Sequence, residues 1–146
     1  DCVPLLVYDP VVKAIGLGHA GWRGTVQGMA ANMVRAMQQA YGSHPQDIEA
    51  VIGPSISPER YQIGEEVVEA TRQYYGESNL ANLIQRDPTD GTGYLNLWTA
   101  NTLDFQKAGV KNIEVMGICT YDNTQDFYSH RAEKGQTGRF GVVMSL

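Results

Sequence analysis

Two apolar runs, Pro4 to Tyr8 and Val11 to Leu17, stand on either side of the turn dipeptide Asp9-Pro10. Both are rich in aliphatic and β-branched residues, so they read as two strands joined by a tight connection. No other feature constrains the fold as much, because a hairpin folds the residues before its first strand back beside those after its second. Here these are Asp1-Cys2-Val3-Pro4 and Gly18-His19-Ala20-Gly21-Trp22-Arg23-Gly24. A thiol and an imidazole are thereby brought together in a chain with only two Cys and three His among 146 residues.

After the Gly18-to-Gly24 loop the period becomes helical, with Val26, Met29, Ala30, Met33, Met37 and Tyr41 on one face and Gly42 as the stop. Ile48 to Ile52 reads as a short buried strand ending at Gly53-Pro54. A loop from Ser55 to Gly64 follows, carrying the helix-start signal Ser57-Pro58. Glu65 to Tyr75 reads as a helix closed by Gly76, and the polar stretch Asn79 to Gly93 as a surface excursion. Leu95, Trp98, Thr102 and Phe105 recur at helical spacing before Gly109, and Ile113 to Met116 returns to strand, with Cys119 at its exit. Tyr121 to Gly138 is a long polar loop, a length that is usually functional or pinned to something. Phe140 to Leu146 reads as a last apolar strand. Because strands and helices do not alternate as βαβ units, a single α+β domain over 1–146, a layered sandwich with mixed sheets, is expected.

The net charge of −5 and pI near 5.1 leave no basic stripe for a nucleic acid or an anionic membrane, so small-molecule substrates are expected. Two Cys cannot build a disulfide framework, and the start of the chain has no signal-peptide pattern; a reduced, cytoplasmic setting is the expectation. The opening segment lacks Met and reads as the middle of a fold, so a piece of a longer protein is expected.

Thiolate and imidazole are ligands that zinc prefers, and a catalytic zinc takes three protein ligands with one position open; Cys2 and His19 supply two. The same pair also suits a nucleophilic thiol activated by His. For an arbitrary Cys/His pair, a buried thiol and a loop imidazole capping the backbone is the commoner outcome. Gly18, Gly21 and Gly24 beside Arg23 offer backbone N–H groups and a guanidinium to a phosphate or carboxylate, although the pattern is neither a Walker A nor a GxGxxG loop. Its plainer explanation is a tight strand-to-helix turn. Cys119, His130 and Arg131 form a second cluster, with hydrogen bonding to backbone or a solvated face as the alternative; His44 reads as surface. Blue copper needs two His and a Cys, and a trinuclear copper centre needs many more His, so three isolated His argue against copper.

Taken in order, Asp1-Cys2-Val3-Pro4-Leu5, His19-Ala20-Gly21-Trp22-Arg23-Gly24, Ile52-Gly53-Pro54-Ser55-Ile56, Ile118-Cys119-Thr120, Ser129-His130-Arg131-Ala132-Glu133 and Thr137-Gly138-Arg139-Phe140 resemble the YfiH or laccase-domain family. Members of that family are labelled polyphenol oxidase or purine nucleoside phosphorylase. The resemblance implies an α/β/β/α-type layered fold similar to the deamidase toxins of the cytotoxic necrotizing factor class. It implies a zinc site to which Cys2 and His19 contribute, with the third ligand from an upstream segment that this sequence lacks, and a pocket-shaping rather than ligating His130. It also implies phosphorolysis of adenosine, inosine and methylthioadenosine to base and ribose 1-phosphate, together with adenosine deamination. Arg23 and Arg131 are candidates for holding phosphate. A metal-independent cysteine hydrolase acting on cell-wall precursors, polyphenol oxidation, and a non-catalytic binding domain are the rival readings.

Overall fold

The computed structural model describes residues 1–146. Strands β1 (Val3–Asp9) and β2 (Ala14–Ala20) form the expected antiparallel hairpin, closed by a turn in which the Asp9 carboxylate accepts from the Val11 and Val12 amides at 2.9 and 3.2 Å. Strand β3 (Glu49–Ile52) pairs antiparallel with β1, and β7 (Asn112–Val115) pairs parallel with β3, giving a mixed sheet of order β2-β1-β3-β7. A second sheet of order β4-β6-β5 is built from Gln62–Ile63, Ile84–Arg86 and Gly93–Leu95. With five helices the chain is a mixed α+β fold, as its element order suggests.

Alternation along the hairpin decides what each sheet face carries. Val3, Leu5, Val7, Ala14 and Ala20 are buried on one face, in one core with Ala30, Val34 and Met37 of helix α2 (Met29–Tyr41). Helix α2 lies close because Gly16 and Gly18 share that face: a Cβ on Gly18 would run into Met33, and one on Gly16 would stand 2.8 Å from Val7. Helix α3 (Glu65–Tyr75) begins with Glu65 and Glu66 at its positive end, and α5 (Leu97–Lys107) is capped by Asn96, which accepts from the Thr99 amide at 2.9 Å. Tyr75 joins these two helices, its hydroxyl donating to the Ala100 carbonyl and to Asp104.

The structure departs from the sequence reading at several points. His19 belongs to β2 rather than to a loop, since the ladder runs on through Ala20. The helical run after Thr25 is split into a single turn, α1 (Trp22–Thr25), and α2, with Gly28 between them at φ +72° and packed beneath Tyr74. Ser57-Pro58 makes a turn, not a helix start, with the Arg60 and Tyr61 amides donating back to the Ser57 carbonyl. The polar excursion holds helix α4 (Glu77–Leu83) and strands β5 and β6, because three apolar side chains, Leu83, Ile84 and Leu95, are enough to anchor them in the core. Phe140 to Leu146 forms no strand: Phe140 and Val142 turn toward a cavity, while Val143 stays 92% exposed. No helix is long and apolar enough to cross a membrane.

Candidate functional site

The hairpin register pairs Pro4 with His19 and Val3 with Ala20. Cys2 precedes Pro4 by two residues, so alternation directs Cys2 and His19 to the same face, opposite the α2 core. Both are exposed. The position facing Cys2 across the ladder is Gly21, where a Cβ would stand 3.0 Å from the thiol sulfur, so glycine gives the side chain room to lie across the strand pair.

In front of this face opens a cavity of ≈ 670 Å³. The hairpin supplies one wall through Cys2, Pro4, Leu17 and His19; the C-terminal stretch supplies the other through Tyr128, His130, Arg139, Phe140 and Val142. Asp1 ties the two walls together. Its carboxylate accepts from the Thr120 hydroxyl at 2.7 Å, the Ser129 hydroxyl at 2.8 Å and the Arg131 amide at 2.7 Å, and its carbonyl accepts from the Ile56 amide at 3.0 Å. The Gly53 amide donates to Pro4 and the Ser55 amide to Ile118, so the Ile52-to-Ile56 motif is wedged between the start of β1 and the Ile118-Cys119-Thr120 motif. The Gly135 amide donates to the His130 carbonyl at 2.8 Å, and that turn holds the His130 ring against Gly135 at the cavity edge.

The other candidates lie apart from this wall. Arg23 stacks over Trp22, 4.2 Å from the ring centroid, and faces Glu66 at 3.7 Å. Arg131 donates to the Gln62 carbonyl at 2.8 Å and lies over the Tyr61 ring. Burial, reinforced by the charge interaction with Cys2, pushes the Tyr61 phenol up to about 12, and the Arg131 and Arg23 guanidiniums pull the other way. Cys119 is buried, its sulfur accepting from the Ser57 amide at 3.4 Å, and His44 is exposed. The sequence reading did not single out Asp1, Tyr128 or Arg139 as site residues. Asp1 and Arg139 were signalled only by membership of motifs far apart in the chain, and Tyr128 only by its place next to the Ser129-to-Glu133 motif.

Cys2 and His19 are a soft thiolate and an imidazole open to one cavity, a donor set that suits zinc. The chain does not gather three His, Cys, Asp or Glu side chains into a group able to hold a metal ion, so the pair makes two-thirds of a three-donor site.

A family model described as multi-copper polyphenol oxidoreductase laccase matches residues 1–146. Purine nucleoside phosphorylase YlmD of Bacillus subtilis (strain 168) is 42% identical over 142 residues, an alignment covering 95% of this chain and 50% of that protein. Adenosine deaminase RL5, from an unknown prokaryotic organism, is 34% identical over 141 residues, covering 95% and 53%. Among solved structures, the Bacillus licheniformis hypothetical protein YfiH superposes with a TM-score of 0.86 at 38% identity, covering 94% of this chain and 52% of the other. The chain thus spans about half the length of these relatives.

Proposed function

Because the chain belongs to the multi-copper polyphenol oxidoreductase laccase family, with YfiH among its solved relatives, we propose that it is a zinc-dependent purine nucleoside phosphorylase that also deaminates adenosine. The observation that carries this reading is the placement of the exposed Cys2 and His19 on the same side of the hairpin, at the wall of a cavity large enough for a nucleoside. The relatives' names, purine nucleoside phosphorylase and adenosine deaminase, supply the substrate class.

In this reading Cys2 and His19 hold the metal, with a third donor from a segment upstream of Asp1. Zinc when bound supplies a Lewis acid next to the base or sugar. His130, across the cavity, orients substrate or moves a proton at its edge. Phosphorolysis also needs a phosphate held while positive charge develops on the ribose, and guanidinium groups suit that anion. Arg139 joins Arg23 and Arg131 as a candidate and is the first to test, since of the three it alone lines the cavity.

Incubation with zinc, phosphate and adenosine or inosine, followed by chromatography, tests the reading. Free base should form only when phosphate is present, inosine should form from adenosine, and Cys2→Ser or His19→Ala should reduce both by about 100-fold. Base release that ignores phosphate would sink the phosphorylase. Full activity in chelator combined with loss to a thiol reagent would instead favour Cys2 as the nucleophile of a hydrolase.

A further inference from the structure

We propose that Tyr128 is the stacking surface for the purine base, an inference that rests on the nucleoside reading above. Tyr128 lines the cavity facing Cys2 and His19 yet remains 51% exposed, a large aromatic side chain left half-open inside a concave site. Phe140, the neighbouring aromatic of the same wall, is already engaged: it meets Phe127 edge-on with ring centroids 5.2 Å apart. Tyr128 has no such aromatic partner.

Its position is also built for. A Cβ at Gly138 would lie 2.8 Å from two carbons at the hydroxyl-bearing end of the Tyr128 ring, and Gly138 has no positive φ that would otherwise call for glycine. The missing side chain therefore seats the ring. Two further apolar cavity residues, Pro4 and Leu17, stand on the hairpin wall, so a flat heteroaromatic ring entering the cavity meets apolar surface there and a π-face at Tyr128. A base stacked on an aromatic side chain gains about 1–3 kcal/mol, roughly 5- to 150-fold in affinity, and the contact is tolerant of base identity because every base has a π-face. Both adenine and hypoxanthine nucleosides are then accommodated, and selection between them falls to polar groups elsewhere in the cavity.

The test compares KM for inosine, adenosine and phosphate in Tyr128→Ala, Tyr128→Phe and Gly138→Ala of the protein. Tyr128→Ala should raise both nucleoside KM values about tenfold and leave the KM for phosphate unchanged, and Tyr128→Phe should restore most of the loss. Gly138→Ala leaves the tyrosine in place but pushes its ring aside, so it should reproduce much of the Tyr128→Ala effect. Unchanged nucleoside KM in Tyr128→Ala, an equal rise in the KM for phosphate, or failure of the Phe variant to recover would each overturn the assignment. If instead the unaltered protein turns over no purine nucleoside, the functional reading has failed and the stacking role falls with it.

Discussion

Asp1 is the residue on which the site's geometry turns, since one carboxylate holds two hydroxyls and an amide contributed by residues 120, 129 and 131. Removing it leaves three polar groups without their acceptor, two of them on the buried residues Thr120 and Ser129. Asp1→Ala should cost about 1–3 kcal/mol in urea denaturation, and Asp1→Asn, which keeps one acceptor oxygen, clearly less. An Asn variant as destabilised as Ala would show that the carboxylate's hydrogen bonds are not what joins the walls. Cys2 and His19 were legible in the sequence because thiols and imidazoles are scarce in this chain and sit at the two ends of a readable hairpin. Asp1, Tyr128 and Arg139 were not, because Asp, Tyr and Arg are common surface residues until the fold gives them a role, Asp1 through its hydrogen bonds to residues 120, 129 and 131 and the other two by lining the cavity opposite Cys2.

At the scale of elements, two packings invite measurement. The hairpin and α2 approach closely over Gly16 and Gly18, so Gly18→Ala must displace Met33 and should destabilise the protein by about 1–3 kcal/mol. Gly141→Ala, with open space around it and no positive φ, should stay within about 0.5 kcal/mol; equal effects from both would remove close packing as the reason for Gly18. Between α3 and α5, burial raises the Asp104 carboxyl above its usual range, opposed by hydrogen bonds from Tyr75 and Tyr74 and by Lys107. A raised folded-state value means that the folded protein binds more protons than the unfolded chain between the ordinary and raised values, so this group's stability contribution falls as pH rises through that window. Asp104→Asn should flatten the dependence of Tm on pH just above the ordinary carboxylate range; an unaltered profile would show that Asp104 does not titrate there. Helices α2, α3 and α5 were readable from period and glycine stops. Helix α4 and the strands of the small sheet were not, since a few buried side chains from polar segments give too short a pattern to recognise.

In the whole molecule, the cavity has one stiff wall and one soft one. The hairpin wall is tied by main-chain ladders to β3, whereas no amide from Thr137 to Leu146 donates to a main-chain carbonyl. Hydrogen exchange should therefore be slowest in β1 and β3 and fastest over residues 137–146, and nucleoside binding should slow exchange around Arg139 and Phe140. Protection of that stretch in the free protein equal to β1 would contradict the picture. By itself the sequence determined the hairpin, the three longer helices and the placement of Cys2 and His19 at the same end of that hairpin, because period, turn chemistry and scarce residue types act over short spans of chain. Tertiary structure alone decided which face of the hairpin is open. It set His19 in a strand, left Phe140 to Leu146 without one, and brought a wall carrying Tyr128 and Arg139 up to the thiol. Those outcomes depend on burial and on hydrogen bonds between segments far apart in the chain, for which no local pattern exists.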